Sequence, residues 1–227
     1  GVGKDVVARF IHNQSARKGE PFVAVNCAGV TESLLESELF GHVKGSFTGA
    51  YRDKRGKIQL AHRGTLFLDE VGEMSLRMQA LLLRFLENGE IQAVGSDQPQ
   101  ARVDVRVVAA TNRNLTELVA SGHFREDLLY RLRVIHLHVP PLRERPEDVE
   151  VLARHFITSA GRELTFSEDA QQMFQRYRWP GNVRELLNVI EQLVWLSPKG
   201  LVEVEHLPMS MRPAAGLAAP LDDRRRQ

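Results

Sequence analysis

The chain has 227 residues, 43% of them hydrophobic and 26% charged, a balance that suits one soluble domain or a large domain with a smaller companion. Thirty Lys and Arg against 29 Asp and Glu leave a formal charge of +1, which excludes a broad basic field for gripping a nucleic acid backbone. The single cysteine, Cys27, excludes an intramolecular disulfide and a multi-cysteine zinc site, and no apolar run approaches the roughly 18 residues of a spanning helix; a cytoplasmic protein without membrane contact is expected.

In chain order, Gly1-Val2-Gly3-Lys4-Asp5 opens directly onto a helical pattern from Val6 to His12. It reads as the last part of a phosphate-binding P-loop, in which backbone amides at a helix start and an adjacent lysine hold phosphate oxygens. The first glycine of that motif and its preceding strand are absent, and Asp5 stands where Ser or Thr is usual, so the expectation is a chain that begins inside the loop.

Phe22 to Val25, Thr65 to Leu68 and Val103 to Ala110 are short apolar runs with helical patterns between them, the rhythm of a mostly parallel sheet buried on both faces. Thr65-Leu66-Phe67-Leu68 runs straight into Asp69-Glu70, where open α/β sheets place their ligands. Alternation along a strand points the two acids in opposite directions, which assigns Asp69 to Mg²⁺, through water, and Glu70 to the attacking water. Capping of the next helix is the plain alternative. Asn26 and Asn112 fall at the other two strand ends, Asn26 to restrain Glu70 and Asn112 to sense a γ-phosphate, with turn formation as the alternative for each.

Beyond Val139-Pro140-Pro141-Leu142 the β-like runs thin out and helical periodicity takes over, as at Val183, Leu186, Leu187, Ile190, Leu193 and Val194. These patterns predict an α/β core over 1–142, a helical domain over 143–208 and a Pro, Ala and Gly-rich linker or tail over 209–227. The eight histidines have no HExxH-like spacing, and Cys27 reads as a small buried apolar residue.

Together with these residues, Glu38-Leu39-Phe40-Gly41-His42 and Gly45-Ser46-Phe47-Thr48-Gly49-Ala50 make the sequence resemble the central AAA+ domain of sigma-54-dependent transcriptional activators, over about residues 1–208. Other AAA+ ATPases lack this loop, and Ser46 stands where the family usually has Ala. The resemblance implies an AAA+ P-loop NTPase core with a small C-terminal helical lid, binding ATP through Gly1, Gly3, Lys4 and Asp5 and Mg²⁺ through Asp69. It implies that Phe47 and Thr48 touch sigma-54 on the RNA polymerase holoenzyme. Glycines at 45 and 49 free that loop's backbone; the alternative is a turn whose Phe folds back on the core.

Phe124 to Leu132 is similar to the family segment that presents arginine fingers, Arg125 and Arg131, to the neighbouring subunit of a ring, commonly a hexamer. Six residues apart on one helix, the two would point about 240° apart, so either the helix starts after Arg125 or the roles differ. A surface ion pair of Arg125 with Glu126 or Asp127 is the alternative. Trp179-Pro180-Gly181-Asn182-Val183-Arg184 resembles the second sensor motif, with Asn182 as the helix cap and Arg184 reaching the subunit's own ATP. Promoter or enhancer DNA would be bound by a helix-turn-helix domain outside this chain. Another AAA+ enzyme would have no need of the Gly45 to Ala50 loop; a regulator that binds nucleotide without hydrolysis would not need Glu70 and the arginines.

Overall fold

The computed structural model describes residues 1–97, 101–197 and 200–212, and its contacts divide the chain into two units. One is Lys4–His138; the other joins Gly1–Gly3 to the residues from Val139 onward. Gly1–Gly3 therefore group apart from the helix they lead into, because Arg145 Nη2 donates to Val2 O at 2.7 Å and the Gly1 nitrogen reaches Gly181 O at 3.5 Å.

In the larger unit, α1 (Lys4–Asn13) turns Ala8 and His12 inward. The elements β1 (Phe22–Asn26), α2 (Glu32–Phe40), β2 (Gly41–His42), β3 (Lys54–Arg55), α3 (Lys57–Leu60) and β4 (Thr65–Asp69) follow. Next come α4 (Leu76–Asn88), β5 (Glu90–Ile91), β6 (Ala101–Arg102), β7 (Arg106–Ala109), α5 (Leu115–Ala120) and α6 (Glu126–Leu132). The central sheet is parallel in the order β1-β4-β7. Its middle strand is the most buried, with Leu66, Phe67 and Leu68 nearly inaccessible, as an apolar run without alternation requires. His12 Nδ1 lies 2.9 Å from Thr65 Oγ1, so the one polar side chain at the start of β4 is paired inside the core.

The third predicted strand is shorter than its apolar run. Val103 N–H donates to Gly89 O and Arg63 N–H to Asp104 O, so pairing with β4 covers only Arg106–Ala109. The helix α4 is bounded by local chemistry: Ser75 Oγ accepts from Met78 N–H at its start, and Gly89 takes the left-handed conformation at its end. Its buried residues Met78, Leu82 and Phe85 join Leu39, Ile58, Leu66 and Leu128 in one core.

The smaller unit contains α7 (Glu147–Ser159), β8 (Thr165–Phe166), α8 (Glu168–Arg176), α9 (Asn182–Leu196) and β9 (Leu201–Val202), with β8 and β9 paired in parallel. Trp179 sits at the centre of its core, edge-on to Phe174 and Tyr177 and buried with Leu186, Ile190 and Leu193. Met209–Met211 form a 3-10 turn and Met211 is buried in this core, so packing continues past the expected boundary at 208. Residues 213–227 of the expected tail lie outside the described residues.

Candidate functional site

The carboxyl end of β4 gathers charge. Lys4 Nζ, from the first residue of α1, lies 3.1 Å from Glu70 Oε1 and 3.8 Å from Asp69 Oδ1. The other Glu70 oxygen accepts the Asn112 backbone N–H at 3.0 Å. Both acids thus face one lysine, which corrects the expectation that they point in opposite directions. Alternation holds only within the strand, and β4 ends at Asp69; Glu70 lies beyond it with φ 55 and ψ 47, a left-handed conformation rare for a side chain of its size. That conformation is held by Val71 N–H on Ala110 O and Glu73 N–H on Glu70 O. Glu70 precedes a 3-10 turn, yet its side chain makes no capping hydrogen bond, which removes the plain capping alternative for this residue.

Asn26 pairs in register with Asp69, but its Oδ1 accepts from Ala28 N–H at 2.9 Å. It makes a local turn and does not hold Glu70, contrary to expectation; the restraint comes from Lys4 and the Asn112 amide. Cys27, just beyond, is buried, and that burial together with the Asp69 and Glu70 charges pushes its thiol up to about 12. At neutral pH the residue is a packed, protonated thiol.

The loop after β2 is closed by Gly45 N–H on Ala50 O at 2.8 Å and Ala50 N–H on Phe47 O at 3.0 Å. Gly45 and Gly49 have φ of 82 and 103, values that exclude most side chains. Thr48 is exposed at the tip. Phe47 is 44% exposed and meets the His42 ring edge-on at 5.0 Å, so one edge leans on the loop's own base and the rest faces solvent.

Helix α6 starts at Glu126, after Arg125, which is its extended N-cap with φ −78 and ψ 133. Helical spacing therefore does not govern the angle between the two arginines. Arg125 Nε and Nη2 bind both Asp127 oxygens, at 3.0 and 2.7 Å, and this hydrogen bonding raises the guanidinium pKa and lowers that of Asp127. Arg131 Nη2 donates to Leu86 O at 2.8 Å. Both side chains are exposed.

In the smaller unit, Asn182 is not the cap. It is the first residue of α9, has φ 56, accepts the Leu142 N–H at 2.7 Å and donates to Pro180 O at 3.2 Å, while Glu185 Oε2 takes the Gly181 N–H at 2.7 Å. Arg184 stands beside the chain's opening glycine: a Cβ placed on Gly1 would lie 3.7 Å from its Nη2. Arg145, which no periodicity in the sequence marks, grips Val2 O from the same unit.

Residues 1–138 match the family described as the Sigma-54 interaction domain, and residues 143–222 match the AAA+ ATPase lid domain. The chain belongs to the sigma-54 interaction domain family. The chain is 52% identical over 208 residues to the Nif-specific regulatory protein of Klebsiella pneumoniae, covering 89% of the chain and 39% of that protein. It is 53% identical over 218 residues to the nitrogen fixation protein VnfA of Azotobacter vinelandii, covering 93% of the chain and 41% of that protein. Among solved structures, NtrX from Brucella abortus in complex with ATP superposes with a TM-score of 0.82 at 38% identity, over 93% of this chain and 50% of that one. The chain thus spans between 39% and 50% of the length of these relatives. Its fold extends to more distant proteins: Thermotoga maritima RuvB shares it at 16% identity, over 93% of this chain and 58% of that one, with a TM-score of 0.57.

Proposed function

We propose that this chain hydrolyses ATP, as part of a ring, and spends the energy on remodelling sigma-54 RNA polymerase so that closed promoter complexes open. The observation that carries the reading is the shared lysine: Lys4 contacts both strand-end carboxylates, and Glu70 is bound on its other oxygen by the Asn112 amide. The amides of Gly1 and Gly3 and the Lys4 ammonium hold the phosphates, with Asp5 alongside in the first turn of α1. An arriving γ-phosphate competes for Lys4 and releases Glu70, which then orients the water for in-line attack on the γ-phosphorus. The bond to the β-phosphate oxygen breaks and ADP leaves with that oxygen. Asn112, beside Glu70, reads the γ-phosphate, and Asn26 shapes the neighbouring strand exit.

Asp69, 32% exposed and carrying hard oxygen donors, fits Mg²⁺, which is usually held by one or two carboxylates together with phosphates and water. Bound there, Mg²⁺ would neutralise phosphate charge.

Arg125 and Arg131 are exposed and complete the site of a neighbouring copy, where a guanidinium offsets the charge spread over the transferring phosphoryl group. Arg184, beside Gly1, answers to the nucleotide of its own chain. Phe47 and Thr48 at the glycine-hinged tip touch sigma-54. A setting in the cytoplasm, a hexameric ring and a DNA-binding domain elsewhere in the protein complete the reading.

Mg²⁺-dependent turnover measured across protein concentration tests it. Turnover should rise more steeply than linearly with concentration and fall by about 10²-fold or more in Glu70→Ala and Arg125→Ala. Thr48→Ala should keep turnover and lose sigma-54 binding. ATP binding without turnover at any concentration would sink the enzyme reading and leave a nucleotide-sensing regulator.

A further inference from the structure

Gln79 lies in the second turn of α4 and its side chain is inaccessible to solvent, an unusual place for an amide. All of its polar atoms are engaged. Nε2 donates to Met74 O at 2.8 Å and His123 O at 3.0 Å, and Oε1 accepts the Arg125 backbone N–H at 2.8 Å. Two of these three bonds reach across 44 and 46 residues of sequence to the link that joins α5 to α6. The first part of that link is tied back to α5, with His123 N–H and Phe124 N–H both on Leu118 O, and Phe124 is its buried anchor; the Gln79 bonds to His123 O and Arg125 N–H tie its far end to α4.

The Arg125 N–H is one of the groups at a helix start that the helix itself leaves without a partner. A solvent-exposed N-cap would use water or its own side chain. Here a buried amide from another helix fulfils that role, and so fixes the backbone from which the Arg125 side chain departs. The same α4 accepts the Arg131 guanidinium on its Leu86 carbonyl. Gln79 and Leu86 are seven residues apart, about 10 Å along the helix axis. Helix α4 also follows β4 closely, through the Val71–Glu73 turn and the Ser75 cap.

We infer that Gln79 is a positioning residue for ATP hydrolysis, acting through Arg125 on the nucleotide of a neighbouring copy. The inference rests on the reading of Arg125 given under the proposed function. Its mark is a defect that belongs to the arginine donor and leaves that subunit's own nucleotide site intact.

The test is complementation on the full chain, with Gln79→Leu, Arg125→Ala and Glu70→Ala as partners. Gln79→Leu alone should lower kcat about 10²-fold, the scale of a misplacement near 1 Å, with KM for ATP unchanged. Mixed with Glu70→Ala, which keeps its arginines, Gln79→Leu should regain turnover; mixed with Arg125→Ala, it should not. Where Gln79→Leu does not melt cooperatively, Gln79→Met takes its place, since it keeps the length of the side chain and loses both donors and the carbonyl acceptor of the Arg125 N–H. Wild-type kcat in Gln79→Leu overturns the inference. So does failure of Gln79→Leu to complement Glu70→Ala under conditions where Arg125→Ala succeeds. If Arg125→Ala also fails with Glu70→Ala, or keeps full turnover by itself, the fault lies with the role given to Arg125, and this inference goes with it.

Discussion

Replacing Glu70 by glycine and by alanine should invert their usual order of stability. Both changes remove the same contacts, the Lys4 ion pair at 3.1 Å and the Asn112 amide at 3.0 Å, so those losses cancel between the two variants. What remains is the backbone at φ 55 and ψ 47. An alanine held in the left-handed region costs roughly 1 to 2 kcal/mol, whereas glycine adopts it freely. Against this, glycine loses about 0.4 to 1 kcal/mol more through the entropy of its unfolded chain. The difference leaves Glu70→Gly more stable than Glu70→Ala by about 1 kcal/mol, or roughly 2 to 4 °C in Tm for a chain of this size. Calorimetry is the suitable assay, because Trp179 and Trp195 both belong to the smaller unit and do not report on β4. Turnover should be absent from both variants. If alanine proves as stable as glycine or more so, Glu70 is not left-handed in solution, and the account of how it comes to face Lys4 fails.

In the smaller unit, Asn182→Ala should cost about 2 kcal/mol, because it strands the Leu142 N–H and leaves a Cβ at φ 56; Asn182→Gly should cost less. Trp179, buried nearby in sequence and in the same core, should report both by fluorescence during urea unfolding. Cys27 should resist iodoacetamide in the folded chain and react on unfolding: with a pKa of about 12, only about one thiol in 10⁵ is ionised at pH 7. Its pH dependence has a definite sign. The folded thiol binds its proton more tightly than the unfolded one, so its contribution is complete below the ordinary value of 9.0 and is lost as pH rises toward about 12. Rapid alkylation of folded protein at pH 7 would refute this.

Local pattern and composition carried the sheet, the strand that ends in Asp69, the glycine-hinged loop and the helical second unit, because each depends on a run of neighbouring residues. The apolar run at Leu66, Phe67 and Leu68 can only be satisfied by burial on both faces, and Gly45 and Gly49 mark a backbone that few other residues allow. The exposure of Phe47 and Thr48 at the loop's tip follows from the same glycines, while a contact with sigma-54 rests on the family resemblance. Four features were not legible in this way. Glu70 turns toward Lys4 because a left-handed residue ends the strand's alternation, and the partners that hold it lie 66 and 42 positions away. Asn26 satisfies Ala28 when a restraint on Glu70 was expected, a choice between two acceptable partners that composition cannot make. Asn182 leaves the capping position for a bond to Leu142, 40 residues distant. Gln79 looks from its sequence like any polar residue of an amphipathic helix, and only burial against the Met74 and His123 carbonyls and the Arg125 amide gives it a task. Secondary structure is set by short-range sterics and patterning, which a sequence displays; a hydrogen bond across forty or more residues exists only once the core has brought its two ends together.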